Sequence, residues 1–345
     1  MNTFSESDII SGYNFSQKCN FIYSRYISHY EFNLMNNKDV TIMQKTKDYV
    51  FYRMNYVELK DGYTIFSNNF ALKTLFRILN QASNFSNIKL VTSQTDLSIT
   101  NEIFTTMPKR ISHWYSINVN YEDRALTPIP LGIGNSFQDK YITDNLFYSA
   151  DMDVQSKKTS KLYVNFRENT NTKHRKNLQD YFRDKNWATV DSPNLTPEEY
   201  VNNIKNHDFI LSPWGNGIDT HRIWESLYIG AIPVTKYHHT LSTLNDLPVL
   251  FINNYEDLSQ DHLLKAKNEI DSNEFNFEKL KTDWWVNEVI NIRDYHNDIN
   301  PQIFRGSQFF DSIDKLLFSI GREIENKMKK LRYYVKKILG LFRNI

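Results

Sequence analysis

Residues 212–234 read SPWGNGIDTHRIWESLYIGAIPV, and this stretch carries most of the information about the fold. An apolar segment precedes a loop that contains Gly215 and Gly217, and the residues after the loop have the apolar spacing of a helix that ends at Gly230. A loop of this kind lets backbone N–H groups approach an anion, and the start of the helix adds a partial positive charge. The stretch therefore predicts a strand, an anion-binding loop, a helix and a second strand.

The rest of the second half repeats this alternation. Predicted strands are 161–166, 187–190, 208–212, 231–235 and 249–252, and predicted helices cover 174–183 and 221–229. Another helix is predicted to start after Thr196, with Pro197 in its first position and Glu199 completing a capping box. Strands that alternate with helices indicate a parallel sheet with both faces covered.

The first half has the same character with less regular spacing. Its predicted strands are 47–54, 88–92 and 114–119, and its clearest amphipathic helix is 70–82. The polar stretch 136–160 has no periodic pattern and is the best linker. We therefore predict an α/β protein of two Rossmann-like domains that face a cleft. The domains are 1–150 and 151–310, followed by a C-terminal amphipathic helix at 311–345.

The composition excludes several classes of protein. Of 345 residues, 40% are hydrophobic and 14% aromatic, which excludes disorder over most of the length. The net charge of +1 divides into −6 for the first 325 residues and +7 for the last twenty. The acidic body predicts no nucleic-acid partner, because affinity for phosphate backbones comes from clustered Lys and Arg. The single cysteine, Cys19, excludes an internal disulfide and fits a reducing compartment.

The C-terminal residues predict one apolar face on a basic helix. Apolar residues recur mainly at steps of three and four, and we call this set the C-terminal stripe: Ile313, Leu316, Leu317, Ile320, Ile324, Met328, Leu331, Val335 and Ile338. Such a helix suits the surface of an anionic membrane, and the alternative is a helix packed back on the protein. The N-terminus lacks a signal peptide and no apolar run is long enough to span a bilayer. We therefore expect a cytoplasmic protein that can sit peripherally on the inner face of a membrane.

Two charged residues follow the glycine loop. Asp219 or Thr220 is expected to cap the helix, and Arg222 and Glu225 share one face of its first two turns. An arginine beside the loop suits a diphosphate, and a carboxylate one turn later can accept hydrogen bonds from ribose hydroxyls. The spacing alone is equally compatible with an ordinary exposed Arg–Glu pair.

The whole string resembles the C-terminal donor-site motif of exostosin-type glycosyltransferases. In that motif a strand ending near Ser-Pro-x-Gly precedes Arg-x-x-Glu, and Gly-x-Ile-Pro-Val follows, as at 212–215, 222–225 and 230–234 here. Fucosyltransferases of the GT-B class have a looser version. The resemblance covers about 25 residues closely. It implies a GT-B fold and inverting transfer from a nucleotide sugar without a metal ion or other cofactor. It also implies that Arg222 binds the diphosphate and Glu225 the nucleoside.

A second polar cluster follows the first strand of this half, in the segment NFRENTNTKHR. It contains Asn165, Arg167, Thr170 and Arg175. Ligands bind at the carboxyl ends of strands in an open parallel sheet, so this loop is expected to face the same cleft. Arg167 and Arg175 are candidates for phosphate contact, and for Arg175 a routine basic residue is an equal alternative. We assign Asn165, Arg167, Gly215, Gly217 and Asp219 to the donor site, together with Arg222 and Glu225.

Glycosyl transfer also needs a general base near the acceptor hydroxyl. In a GT-B arrangement this base comes from the N-terminal half. Asp96, a short loop after a predicted strand, is the first choice, His113 the second and Glu102 the third. Each has a structural alternative, as a surface carboxylate, a half-buried histidine or a helix-face acid.

Other motifs carry less chemistry. Asp151 and Asp153 form the Asp-x-Asp of metal-dependent GT-A transferases, but no apolar strand precedes them, so we predict no metal site there. His238 and His239 lack a third ligand at suitable spacing, and Ser212 lacks the context of a hydrolase nucleophile. The resemblance therefore implies a glycosyltransferase whose partners are a nucleotide-sugar donor and a glycan or lipid-linked saccharide acceptor. The alternative is a non-catalytic nucleotide- or glycan-binding module with the same fold.

Overall fold

The computed structural model describes residues 5, 7–36, 39–82, 85–135, 137, 142, 159–293, 301–307, 312–313, 315–324 and 327–328. We call the described residues up to 135 the N-terminal half and 159–293 the C-terminal half. Most of the predicted linker 136–160 lies outside the described residues, as do Asp151 and Asp153.

The N-terminal half is built around a five-stranded sheet. The strands of the whole N-terminal half are β1 (Phe21–Ile22), β2 (Ser24–Ile27), β3 (Val40–Lys45), β4 (Val50–Met54), β5 (Tyr56–Leu59), β6 (Thr64–Asn68), β7 (Ile88–Ser93), β8 (Ile111–Ser116) and β9 (Leu126–Pro128). Its helices are α1 (Gly12–Lys18), α2 (His29–Leu34), α3 (Leu72–Gln81) and α4 (Asn101–Phe104). The main sheet has the order β1-β6-β7-β8-β9 and is parallel throughout, and β2, β4 and β3 form a separate antiparallel sheet.

The C-terminal half contains a second five-stranded parallel sheet, in the order β11-β10-β12-β13-β14. Its strands are β10 (Thr159–Val164), β11 (Ala188–Val190), β12 (His207–Leu211), β13 (Ile232–Lys236) and β14 (Leu250–Ile252). Its helices are α5 (Thr172–Arg175), α6 (Leu178–Arg183), α7 (Pro197–Lys205), α8 (His221–Tyr228), α9 (Gln260–Asp271) and α10 (Thr282–Trp284). The chain places β11 on one side of β10 and then returns to place β12 on the other, so the strand order reverses between β10 and β12.

The prediction of a mixed α/β fold with parallel sheets is confirmed. Helix α7 begins at Pro197, and the predicted capping box is present, with Thr196 and Glu199 each bonding the other's backbone N–H. The strand predicted at 114–119 is instead β8 and ends at Ser116. The strand stops there because Asn118 adopts the left-handed conformation, with φ of 51°.

After α10 the chain returns to the N-terminal half. A π-helical turn, Trp285–Ile290, ends at Asn291, which has φ of 52°. The chain then forms β15 (Gln302–Arg305), which pairs antiparallel with β5 of the N-terminal half. The exposed edge of β5 supplies the backbone partners for this strand, and that edge is not visible in the local sequence. Residues 312–313, 315–324 and 327–328 are helical, and we call 315–324 the C-terminal helix.

The two halves share buried apolar side chains. One group of contacting core residues contains members of both halves, among them Ile10, Phe66, Ile117 and Leu131 with Ile210, Ile223, Trp224 and Trp285. Burial of a continuous apolar surface is the dominant stabilising contribution in folding. The sheets are therefore held against each other by a common core.

Candidate functional site

A cleft lies at the carboxyl ends of β10 and β12, where the strand order of the second sheet reverses. This switch point is the usual ligand crevice of open α/β sheets. The cleft has a volume of about 360 Å³, within the range of small-molecule sites. Among its lining residues are eight of the nine predicted site residues: Asp96, Asn165, Arg167, Gly215, Gly217, Asp219, Arg222 and Glu225.

The glycine loop does not use its backbone in the predicted way. The N–H groups of Ile218 and Asp219 donate to Oδ1 of Asn118, at 2.9 and 3.1 Å, and the N–H of Gly215 donates to the carbonyl of Gly217 at 2.9 Å. These three donors are therefore engaged within the protein and are not free for an anion. The loop is held in shape by a side chain of the N-terminal half.

Close packing explains both glycines. A Cβ added to Gly217 would lie 2.5 Å from Nδ2 of Asn118, and one added to Gly215 would lie 2.9 Å from Nη2 of Arg175. Any larger residue at Gly217 would push the loop away from Asn118. The two glycines therefore let the loop approach the side chains that position it.

Asp219 supports the loop from the buried side. It is 2% exposed, and its Oδ2 accepts a hydrogen bond from the N–H of Leu131 at 2.8 Å, while the indole N–H of Trp224 reaches both carboxylate oxygens. Burial raises the pKa of this carboxyl to about 6, and these hydrogen bonds offset part of the rise. Although Asp219 lines the cleft, its hydrogen bond with Leu131 joins the two halves.

The predicted side-chain cap of α8 is absent. Thr220 occupies the N-cap position, but its hydroxyl does not bond to the helix backbone. The hydroxyl oxygen of Thr220 is buried and has no hydrogen-bond partner among the described residues. The start of α8 therefore has a buried polar atom without a partner among the described residues, beside the cleft.

Arg222 and Glu225 lie in the cleft without forming an ion pair. No described carboxylate lies within 4.0 Å of the Arg222 guanidinium, and its Nε is buried without a partner among the described residues. Glu225 instead accepts a hydrogen bond at Oε2 from the hydroxyl of Tyr200, at 3.0 Å. Burial and the adjacent Glu225 raise the pKa of Tyr200, which keeps this hydroxyl protonated as the donor. The ordinary surface-pair interpretation of Arg222 and Glu225 does not fit this geometry.

Arg175 is a structural member of the second cluster. Its guanidinium donates to the carbonyls of Pro213, Trp214 and Arg167 and to the hydroxyl of Thr170, at 2.7 to 3.1 Å. Burial, and then the positive charge of Arg222, lower its pKa to about 9, so it remains a cation at neutral pH. The guanidinium N–H groups of Arg175 therefore bond within the protein, to the glycine loop and to the segment 167–170.

Arg167 and Asn165 complete this side of the cleft. Arg167 lies three residues after β10, and its exposed side chain is available to a ligand. Asn165 is buried and donates from Nδ2 to the carbonyl of Ser192 at 2.9 Å. Arg167 and Arg222 therefore both supply positive charge to the cleft, one from the segment after β10 and the other from the helix after β12.

Asp96 reaches the cleft from the N-terminal half. It follows β7 by three residues and is exposed, and its Oδ2 accepts a hydrogen bond from Nδ2 of Asn216 at 3.1 Å. Asn216 belongs to the glycine loop, so this contact crosses the opening between the halves. The structure thus places the Asp96 carboxylate in the lining of the same cleft as Arg222 and Glu225.

The other two candidates for a base are not brought to the cleft. His113 lies near the start of β8, at the end of the sheet away from the cleft, where its Nε2 is 2.8 Å from the hydroxyl of Thr127. Burial, and then Lys89, lower the pKa of His113. Glu102 lies on α4 and does not line the cleft. The position of His113 along β8 decides which end of the sheet it occupies. The sequence predicts strand boundaries only approximately, so it does not settle this position.

The side chains of His238, His239 and Ser212 contact neighbouring residues of the protein. Nε2 of His238 lies 3.3 Å from Oδ1 of Asn120, and Nδ1 of His239 lies 3.8 Å from the carboxylate of Glu122. Ser212 is buried and donates to the carbonyl of Ile210. Within the described ranges, no group of three or more His, Cys, Asp or Glu residues is arranged to hold a metal ion.

Sequence reasoning misses Asn118 and Tyr200. Asn118 ends an apolar run, and the tolerance of asparagine for positive φ is its only local signal. Tyr200 lies in the first turn of α7 and meets Glu225 across 25 residues of chain, which no spacing rule predicts. Both residues act on the site through the tertiary fold.

Comparison of the chain with protein-family models and with curated proteins found no match. None of the helices in the described ranges has the length and apolarity needed to cross a bilayer.

Proposed function

We propose that this protein is a glycosyltransferase of the GT-B type, which transfers a sugar from a nucleotide-sugar donor to a glycan or lipid-linked saccharide. In this proposal the two sheets belong to acceptor-side and donor-side domains that face the cleft. The observation that carries the proposal is the position of the unpaired Arg222, with Glu225 and Arg167, at the switch point of the donor-side sheet. The resemblance of 212–234 to exostosin-type enzymes gives these residues their roles.

The donor-side residues would hold the nucleoside diphosphate. Arg222 and Arg167 supply positive charge for the diphosphate, which becomes more negative as the bond to the sugar breaks. Glu225, oriented by Tyr200, accepts hydrogen bonds from ribose hydroxyls. The start of α8 with the Thr220 hydroxyl adds donors near the phosphate.

Asp96 would act as the general base for an inverting transfer. Its carboxylate takes the proton of the acceptor hydroxyl as that oxygen bonds to the anomeric carbon. The bond from this carbon to the diphosphate breaks on the opposite side, and the nucleoside diphosphate leaves. Asn216 donates to Asp96 and holds the carboxylate over the opening of the cleft.

Titration calorimetry with nucleoside diphosphates, with and without EDTA, tests the donor assignment. We expect one nucleoside diphosphate to bind, and Arg222→Ala to weaken its binding by about tenfold or more, because a charge-assisted contact is lost. Arg183→Ala is the matched control, since Arg183 is exposed beside Asp180 and is not among the residues that line the cleft. Equal affinity of Arg222→Ala and the control variant would reject the donor site.

Turnover separates the enzyme from a non-catalytic binding module. With the matching nucleotide sugar, the wild-type protein is expected to release nucleoside diphosphate by transfer or slow hydrolysis. Asp96→Asn should lower this rate by about a hundredfold or more while nucleotide affinity stays unchanged, because a general base is lost. Nucleotide binding without any turnover would instead identify a binding module.

A further inference from the structure

The C-terminal helix rests on the protein through the face opposite to its apolar one. The ring of Phe318 lies 5.4 Å from that of Phe51 and 5.5 Å from that of Phe70, and Phe318 is partly buried. At about 100° per residue, Phe318 lies about 140° from the centre of the C-terminal stripe. Contact through Phe318 therefore turns the described members of the stripe outward.

The described members of the stripe are exposed accordingly. Leu316 is 59% exposed, Leu317 52%, Ile320 43% and Ile324 57%, and Ile313 and Met328 are exposed as well. A helix that served only to cover the protein body would present these residues inward and its polar residues outward. A contiguous apolar surface that faces outward from a folded protein marks a binding face.

The charge that follows the helix identifies what this face binds. After Glu325 the sequence has seven Lys or Arg residues and no acidic residue, and Leu331, Val335 and Ile338 continue the apolar spacing. Apolar residues flanked by basic ones suit the boundary between the acyl chains and the headgroups of anionic lipids. A second copy of the chain would bring a second set of these positive charges against the first.

We infer that the C-terminal stripe docks on the surface of an anionic lipid bilayer and holds the protein there. The C-terminal helix packs, through Phe51 and Phe70, on the half that carries Asp96. Phe70 lies two residues after β6, and β6 pairs with β7, the strand that leads to Asp96. Under the proposed function, the docked helix thus anchors the half that receives a lipid-linked acceptor. The docking itself does not depend on the proposed function.

Vesicle flotation of the full chain tests the inference. We expect the protein to float with vesicles of phosphatidylcholine and phosphatidylglycerol, to bind phosphatidylcholine vesicles about tenfold more weakly, and to lose binding at high salt. Ile320→Glu should lower the affinity about tenfold or more, because it places a charge in the stripe. Ser319→Glu, which adds the same charge at the adjacent exposed position outside the stripe, should have a much smaller effect.

Two results would overturn the inference. Equal flotation of the Ile320→Glu and Ser319→Glu variants, with both variants folded by circular dichroism, would show that the stripe does not contact lipid. A wild-type dimer in size-exclusion chromatography that Ile320→Glu dissociates, without flotation of the wild type, would show that a second copy covers the stripe. Nucleotide binding, measured separately, is expected to be unchanged in both variants, so failure here is distinct from failure of the proposed transferase.

Discussion

Asn118 connects the two halves through a single oxygen atom. It is 1% exposed and left-handed, and its Oδ1 accepts the N–H groups of Ile218 and Asp219 from the glycine loop. The amide of Asn118 also fills the space that a side chain at Gly217 would need. The shape of the proposed donor loop therefore depends on a residue 100 positions earlier in the chain.

Removal of this acceptor should destabilise the protein. Asn118→Gly leaves two N–H groups without their partner, and we expect it to lower the free energy of unfolding by about 2–4 kcal/mol. Asn118→Ala adds the strain of a left-handed residue with a Cβ and should lose up to about 1 kcal/mol more. Urea denaturation measures both variants, and a loss below about 1 kcal/mol in Asn118→Gly would contradict the bridging role.

Asp219 predicts a specific dependence of stability on pH. Burial raises its pKa from 3.8 to about 6, so at pH values between these two the folded protein retains a proton that the unfolded chain has released. The contribution of Asp219 to the free energy of unfolding therefore falls as pH rises through this window, by about 3 kcal/mol in total. Ionisation of Asp219 at neutral pH therefore destabilises the folded protein, and the hydrogen bonds from Leu131 and Trp224 offset part of this loss.

Comparison of Asp219→Asn with wild type isolates this contribution. We expect the difference in unfolding free energy between the two proteins to shift in favour of the variant as pH rises from about 4 to about 7, because the amide does not ionise. Parallel profiles for Asp219→Asn and wild type would show that the pKa of Asp219 is not raised.

At the scale of elements, the local sequence predicts those helices, strands and caps that local interactions determine. The capping box of α7, the helix α8 and the strands of the second sheet follow from spacing and capping residues, with shifts of one or two residues at their ends. The cleft residues after β10 and β12 are predictable for the same reason, since they follow directly from strand ends. The π-helical turn, β15 and the position of His113 are not, because each depends on a partner elsewhere in the chain.

The α7 cap provides a test at this scale, because its residues also line the cleft. Thr196→Ala removes the acceptor of the Glu199 N–H and should lower the free energy of unfolding by about 1 kcal/mol. The displaced first turn carries Tyr200, which orients Glu225, so nucleotide affinity should fall as well. Ser259→Ala, at the matching cap of α9, should lose similar stability in urea denaturation without a change in affinity. Equal nucleotide affinities in the two variants would show that the α7 cap does not influence the site.

At the scale of the whole molecule, hydrogen bonds and core contacts fasten the halves together. The hydroxyl of Tyr228 accepts the N–H of Ile10 and donates to the carbonyl of Leu280, and Nδ1 of His221 lies 2.7 Å from the carbonyl of Gly132. Lys89 donates to the carbonyls at the end of the π-helical turn. The sequence predicts two halves but contains no local sign of these contacts, because their partners are separated by many residues.

These contacts predict that the protein unfolds in one step in spite of its two sheets. A shared core means that neither half keeps its buried surface once the other unfolds, so the ratio of calorimetric to van't Hoff enthalpy should be close to 1. In hydrogen exchange at increasing urea, the amides of β7 and β12 should lose protection at the same concentration, and a bound nucleoside diphosphate should raise both midpoints together. Two resolved transitions, or protection that survives in one sheet alone, would show that the halves are independent domains joined by a cleft that can open.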